Sequence, residues 1–218
     1  MTVDVALVRE RLAVVHERIS TAGGDPAVVA IVAVTKGCPP AAVDAATVVG
    51  CAAIGESYAR ELLDKLPAVA DVPEVRFIGR LQSNKVRALA GVVDVYESVD
   101  RESLAAELAK RAPAARVLVQ VSTTGESGKG GCLLPVASSL VERCDALGLR
   151  VEGLMTVGPT GAAPEAARVG FRSVRALADR LGLSTCSMGM SGDLEVAVGE
   201  GSNELRIGTA LFGPRPVF

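Results

Sequence analysis

Short runs of β-branched and small apolar residues alternate along the chain with longer segments in which apolar side chains recur every three or four positions. In the first longer segment, residues 3–22, Val5, Leu7, Val8, Leu12, Val15 and Ile19 fall near helical spacing, and Gly23-Gly24 end it. A continuous apolar run of strand length follows, from Val28 to Val34. Pro39-Pro40 then opens a helix toward Val49, since proline is favoured in a first turn. Further strands are predicted at 52–54, 75–78, 92–96, 116–121, 151–156, 184–187 and 204–207. Helices are predicted between them at 58–66, from about Ser83 with its hydroxyl as the cap, and at 101–111, 135–147, 164–181 and 194–198.

Eight strands separated by helices, with no hairpin signal such as Asn-Gly, imply parallel strands joined by right-handed crossovers. Eight βα units close a barrel, and roughly 200–250 residues is the size such a barrel needs. The 218 residues therefore predict an α/β fold, a single (β/α)8 TIM barrel domain over residues 1–218 with an additional N-terminal helix. An open doubly wound sheet fits less well, because no GxGxxG follows the first strand. No linker or low-complexity stretch divides the chain.

Composition narrows the picture. Apolar residues are 49% of the chain and aromatics only 3%, so the core must be built from small and β-branched side chains. That suits a parallel sheet covered by helices. Net charge is −2 with both signs scattered, unlike the basic face of a nucleic-acid binder. No apolar run approaches the ~20 residues of a membrane span. The N-terminus, with Asp4 and Glu10, lacks the basic-then-apolar order of a signal peptide. Five cysteines without CxxC spacing and a single histidine argue against a zinc site, and no metal is expected. They read as reduced thiols of a cytoplasmic protein.

In a barrel of this kind, functional residues lie at the C-terminal ends of the strands and in the loops that follow. Lys36 stands just beyond the first strand. Two readings are open: a solvated lysine at a strand end, or an amine whose partial desolvation favours its neutral, nucleophilic form and so Schiff-base chemistry. The segments Met188 to Asp193 and Gly208-Thr209-Ala210 follow the last two strands and combine glycine with hydroxyl groups. They are either ordinary tight turns or the recurrent phosphate site of such barrels. Arg206, in the final strand, is either a structural ion-pair partner or a partner for a pyridine nitrogen.

These residues carry a resemblance. Ala33-Val34-Thr35-Lys36, Ile54-Gly55-Glu56-Ser57-Tyr58, Phe77-Ile78-Gly79-Arg80-Leu81-Gln82-Ser83-Asn84-Lys85, Ser98-Val99-Asp100-Arg101, Gly153-Leu154-Met155-Thr156, residues 187–193 and residues 206–213 resemble, in order, the pyridoxal phosphate homeostasis protein family. That family comprises single-domain relatives of the alanine racemase barrel. The resemblance implies pyridoxal 5′-phosphate as cofactor, with Lys36 as the Schiff-base lysine. It implies that Ser191, Thr209 and the backbone around Gly208 hold the phosphate, that Arg206 faces the pyridine nitrogen, and that Met188 lies close to the cofactor. Where the family usually has Gly-Glu-Asn-Tyr, this chain has Gly-Glu-Ser-Tyr, so Ser57 offers a hydrogen-bonding group on a shorter arm. The loop at 127–130 keeps the family's lysine, Lys129, but is richer in glycine and is expected to be mobile.

The resemblance also implies a role without robust catalysis: storing, buffering or delivering the cofactor, with apo-enzymes as receiving partners and no nucleic acid or membrane involved. A racemase of this fold needs a second base, a tyrosine from a separate C-terminal β domain. The chain stops at Phe218, and neither Tyr58 nor Tyr96 matches that tyrosine's context. An arginine beside the pyridine nitrogen further disfavours ring protonation. The alternatives are a pyridoxal phosphate-dependent amino-acid racemase and, on fold analogy alone, a cofactor-free Schiff-base aldolase. A monomer is expected.

Overall fold

The computed structural model describes residues 3–126 and 128–214. The chain begins with helix α1 (Val5–Thr21), capped by Asp4, whose carboxylate accepts from the Ala6 and Leu7 amides at 2.9 and 3.3 Å. The predicted apolar stripe is the buried face, formed by Val8, Leu12, Val15 and Ile19. Each such side chain contributes about 1.5–3 kcal/mol when fully buried.

Eight strands then alternate with helices. They are β1 (Ala30–Val34), β2 (Ala53–Glu56), β3 (Glu74–Phe77), β4 (Val95–Val99), β5 (Arg116–Ser122), β7 (Arg150–Met155), β8 (Thr185–Met190) and β9 (Glu204–Ile207). All pair in parallel in the order β4-β3-β2-β1-β9-β8-β7-β5, and β4 pairs with β5 to close the barrel. The surrounding helices are α2 (Ala41–Val49), α3 (Ala59–Lys65), α4 (Val86–Leu89), α5 (Glu102–Arg111), α6 (Leu134–Ala146), α7 (Arg168–Arg180) and α8 (Leu194–Gly199). Two short elements escaped the pattern: β6 (Cys132–Leu133), which pairs with the end of β5, and the single turn α9 (Thr209–Phe212). Neither is long enough to show a period.

Ser83 does not cap a helix. It lies inside a 3-10 turn, Ser83–Lys85, so the cap position falls on Gln82, and no side chain caps either that turn or α4.

The alternation of strand side chains sorts the core into two layers. Residues such as Ile31, Ile54, Phe77, Leu205 and Ile207 face the helices and join one large apolar cluster. The barrel interior holds a smaller one, Val95, Leu118 and Met155, beside buried Arg76, Glu97, Glu204 and Arg206. Among the described residues the cysteines are free thiols, and no helix is long and apolar enough to cross a membrane.

Candidate functional site

A cavity of about 410 Å³ opens at the C-terminal end of the barrel. Lys36, Ser57, Ser191, Arg206, Gly208 and Thr209 all line it, so residues spread from position 36 to position 209 converge on one concavity. Val34, Ile78, Met155 and Val157 supply apolar walls.

Met188 is a correction. Strand alternation turns Ser187 inward and Met188 outward, where it is fully buried in the helix-facing apolar layer. The pairing of β8 with β9 shifts register between Ser187 and Met190, a bulge that passes through Gly189 at φ +96°. A Cβ on Gly189 would lie 2.5 Å from the Ala197 Cβ, so glycine is required there. The bulge presents Met190, not Met188, to the cavity.

The turn that carries Lys36 is anchored from beneath. Lys65 Nζ donates to the Thr35 carbonyl at 2.9 Å and pairs with Glu56 at 2.5 Å and Glu61 at 2.9 Å. Thr35 Oγ1 also donates to Glu56, at 2.7 Å. On the other side of Lys36, the Gly37 amide donates to Glu61 Oε1 at 2.5 Å. Burial pushes the Glu56 carboxyl above its ordinary range, although Lys65 and Thr35 pull the other way. This support was invisible in sequence, where Lys65 reads as a solvated helix residue.

Arg206 forms the floor. Its guanidinium donates to Ser187 Oγ and to the Thr156 carbonyl, both at 2.6 Å. Burial pulls its pKa down, with Glu97 and Glu204 opposing. Arg206 is thus linked through Ser187 to the buried Glu97, and it lines the cavity.

The hydroxyl-rich end is set by contacts from outside the barrel. Ser191 Oγ accepts from the Ala210 amide at 3.1 Å, joining the loops after β8 and β9. Asp193 Oδ1 accepts from the Met190 amide at 2.6 Å. Arg18, on α1, donates to the Ser191 carbonyl at 3.0 Å while paired with Glu195 at 2.6 Å. Nothing in the spacing of α1 marked Arg18. Lys129 is also tied down, donating to Glu126 at 3.0 Å and to the Gly158 carbonyl at 2.6 Å, whereas Ser127 of its loop lies outside the described residues.

Taken together, the cavity offers an amine, a buried guanidinium, paired hydroxyl and glycine loops, and apolar walls between them. That donor set fits a flat ring bearing an anionic group and a carbonyl, and the volume lies within the range of small-ligand sites.

Residues 3–216 match the family model "Alanine racemase, N-terminal domain". A protein of Pseudomonas aeruginosa named pyridoxal phosphate homeostasis protein is 42% identical over 209 residues, covering 92% of this chain and 91% of its own. A protein of the same name from Aquifex aeolicus is 40% identical over 222 residues, covering 94% and 97%. Among solved structures, PipY of Synechococcus elongatus with PLP bound superposes with a TM-score of 0.82 at 29% identity, covering 94% of this chain and all of that one. With a closed parallel barrel of matching fold and sequence identity sustained over nearly its whole length, the chain belongs to the pyridoxal phosphate homeostasis protein family.

Proposed function

We propose that this protein binds pyridoxal 5′-phosphate in the cavity of about 410 Å³, tethers it as a Schiff base on Lys36, and serves intracellular supply of the cofactor by storage, buffering or delivery to apo-enzymes. The observation that carries the reading is the convergence of Lys36, Arg206 and the Ser191, Gly208 and Thr209 cluster on one cavity. Ser191, Thr209 and the Gly208 backbone hold the phosphate, Arg206 faces the pyridine nitrogen, and Ser57 contributes a short hydrogen-bonding arm. When bound, the cofactor supplies an aldehyde, and the protein supplies the amine that captures it reversibly.

The whole chain acts as one cofactor-binding domain, a cytoplasmic monomer. Its role is that of a carrier and not of a racemase, with Lys36 as the amine that lines the cavity. Relatives that bear the homeostasis name support the same assignment.

The test joins spectroscopy with chemical trapping. Protein mixed with pyridoxal phosphate should show Schiff-base absorbance, and borohydride reduction should leave the label on the peptide containing Lys36. Lys36→Ala should lose both signals. A wild-type protein that takes up no cofactor, or a label on another lysine, defeats the tether. Lys36-dependent exchange of amino-acid α-hydrogens with solvent deuterium at enzymatic turnover rates would make the protein a racemase instead.

A further inference from the structure

A second and larger cavity, of about 920 Å³, adjoins the first and shares Lys36, Ser57 and Ile78 with it. Its wall is built by the loops after β2 and β3 and by Arg101 beyond β4. Besides Lys36, it is lined by Arg60, Arg80, Lys85 and Arg101, and by no aspartate or glutamate. In a chain whose net charge is −2, this is a concentration of positive charge in one concavity.

The charges are unevenly compensated. Arg101 is paired with Asp100 at 2.6 Å, and Arg60 lies 3.5 Å from Asp64 where both are largely exposed. The side chains of Arg80 and Lys85 make no hydrogen bond or ion pair with the described residues. Some arginines elsewhere are paired: Arg116, Arg168, Arg172 and Arg175 each hold a carboxylate within 3 Å. Arg80 and Lys85 thus face one cleft together, with no carboxylate partner among the described residues.

The backbone beneath them is fixed. A Cβ on Gly79 would lie 2.1 Å from the Ser57 carbonyl oxygen, so the loops after β2 and β3 touch through glycine. Ser98 Oγ donates to the Gly79 carbonyl at 2.5 Å, and Arg101 Nη2 donates to the Leu81 carbonyl at 2.9 Å. Leu81 is buried, so Arg80 projects from an anchored loop. A concavity lined by one sign of charge focuses the field and concentrates counter-ions.

We infer that this cleft is a second anion site, placed beside the cofactor cavity and built for a small phosphate ester carrying at least two anionic groups. Several cations converging from different loops match a ligand with more than one anionic group better than a single phosphate. Arginine adds bidentate geometry for phosphate oxygens. The site does not depend on the cofactor reading, because Arg80 and Lys85 line only the larger cavity.

Inorganic pyrophosphate is the probe. Titration calorimetry at constant ionic strength should give saturable one-to-one binding, tighter than that of orthophosphate. Binding should persist after saturation with pyridoxal phosphate, whose uptake is followed separately by absorbance. Arg80→Ala/Lys85→Ala should weaken it at least tenfold, and Arg80→Glu should do the same, while cofactor absorbance stays unchanged. Both residues are exposed, so folding is preserved. The inference fails if pyrophosphate shows no saturable binding, if loading the cofactor abolishes its binding, or if the double variant binds as tightly as wild type. Absent cofactor absorbance with intact pyrophosphate binding would sink the first reading and leave this one standing.

Discussion

Lys36 owes its place to residues that never reach the cavity. Lys65 Nζ holds the carbonyl just before it, and Glu61 holds the amide just after it. Lys65 and Glu56 are both buried, so their charges depend on each other. Removing one partner of a buried pair costs about 3–5 kcal/mol, whereas replacing both by uncharged groups costs much less. Lys65→Met should therefore destabilise the protein by about 3–5 kcal/mol in urea unfolding, and adding Glu56→Gln should restore most of that loss. Glu56→Gln alone should be mild, because Lys65 keeps Glu61 at 2.9 Å. If the double variant is no more stable than Lys65→Met, the pair is not the unit that holds the turn. Position left Lys36 with two readings in the sequence, a solvated lysine at a strand end or a Schiff-base amine, and only the family resemblance chose between them. Lys65 was not legible, since one lysine in a helix carries no mark of burial.

The loops after β8 and β9 show how elements borrow geometry from their neighbours. Arg18 reaches from α1 to the Ser191 carbonyl, and Glu195 at the start of α8 holds it there. This ion pair is part-exposed, so its contribution to global stability is at most about 1 kcal/mol. Its effect on Ser191 is more local. Arg18→Ala should leave the unfolding midpoint nearly unchanged while weakening pyridoxal phosphate binding several-fold, read by equilibrium absorbance titration. Equal affinity in variant and wild type would show that the loop holds its shape unaided. The eight barrel strands and the amphipathic face of α1 were readable from hydrophobic period, because burial on both strand faces and on one helix face leaves a direct trace. The bulge at Gly189 was not readable. It depends on a register shift against β9, and it exchanged Met188 for Met190 at the cavity. Ser83 failed as a cap for a similar reason: a 3-10 turn moved the cap position by one residue.

Across the whole molecule, the barrel interior carries a connected set of charges from its middle to the cavity floor. Arg76 contacts Glu204 at 2.5 Å and Glu97 at 3.5 Å; Ser187 donates to Glu97 at 2.8 Å, and Arg206 donates to Ser187. Burial, and then repulsion from Glu97, push the Glu204 carboxyl up to about 8 despite Arg76, and its Oε1 has no hydrogen-bond partner among the described residues. From the ordinary carboxylate value of 4.5 up to about 8, the folded protein therefore binds more protons at this site than the unfolded chain does. Stability contributed by this group must fall as pH rises through that window, by up to about 1.4 kcal/mol per pH unit. The surface carboxylates act in the opposite sense and lower down. Glu126, held near 2 by the Thr160 amide and Lys129, and Glu195, lowered by Arg18, lose their stabilising effect only as pH drops below the usual carboxylate range. Glu56, also raised by burial, shifts stability in the same sense as Glu204, so the difference between wild type and a Glu204 variant is what isolates Glu204. In urea unfolding at pH 5, 6, 7 and 8, wild type should lose stability relative to Glu204→Gln as pH rises, since the amide cannot ionise. A wild-type-minus-variant difference that stays constant across those four values would show that Glu204 is already ionised throughout. The interior would then be a fully charged network fixed in place, with no proton to lose near neutral pH.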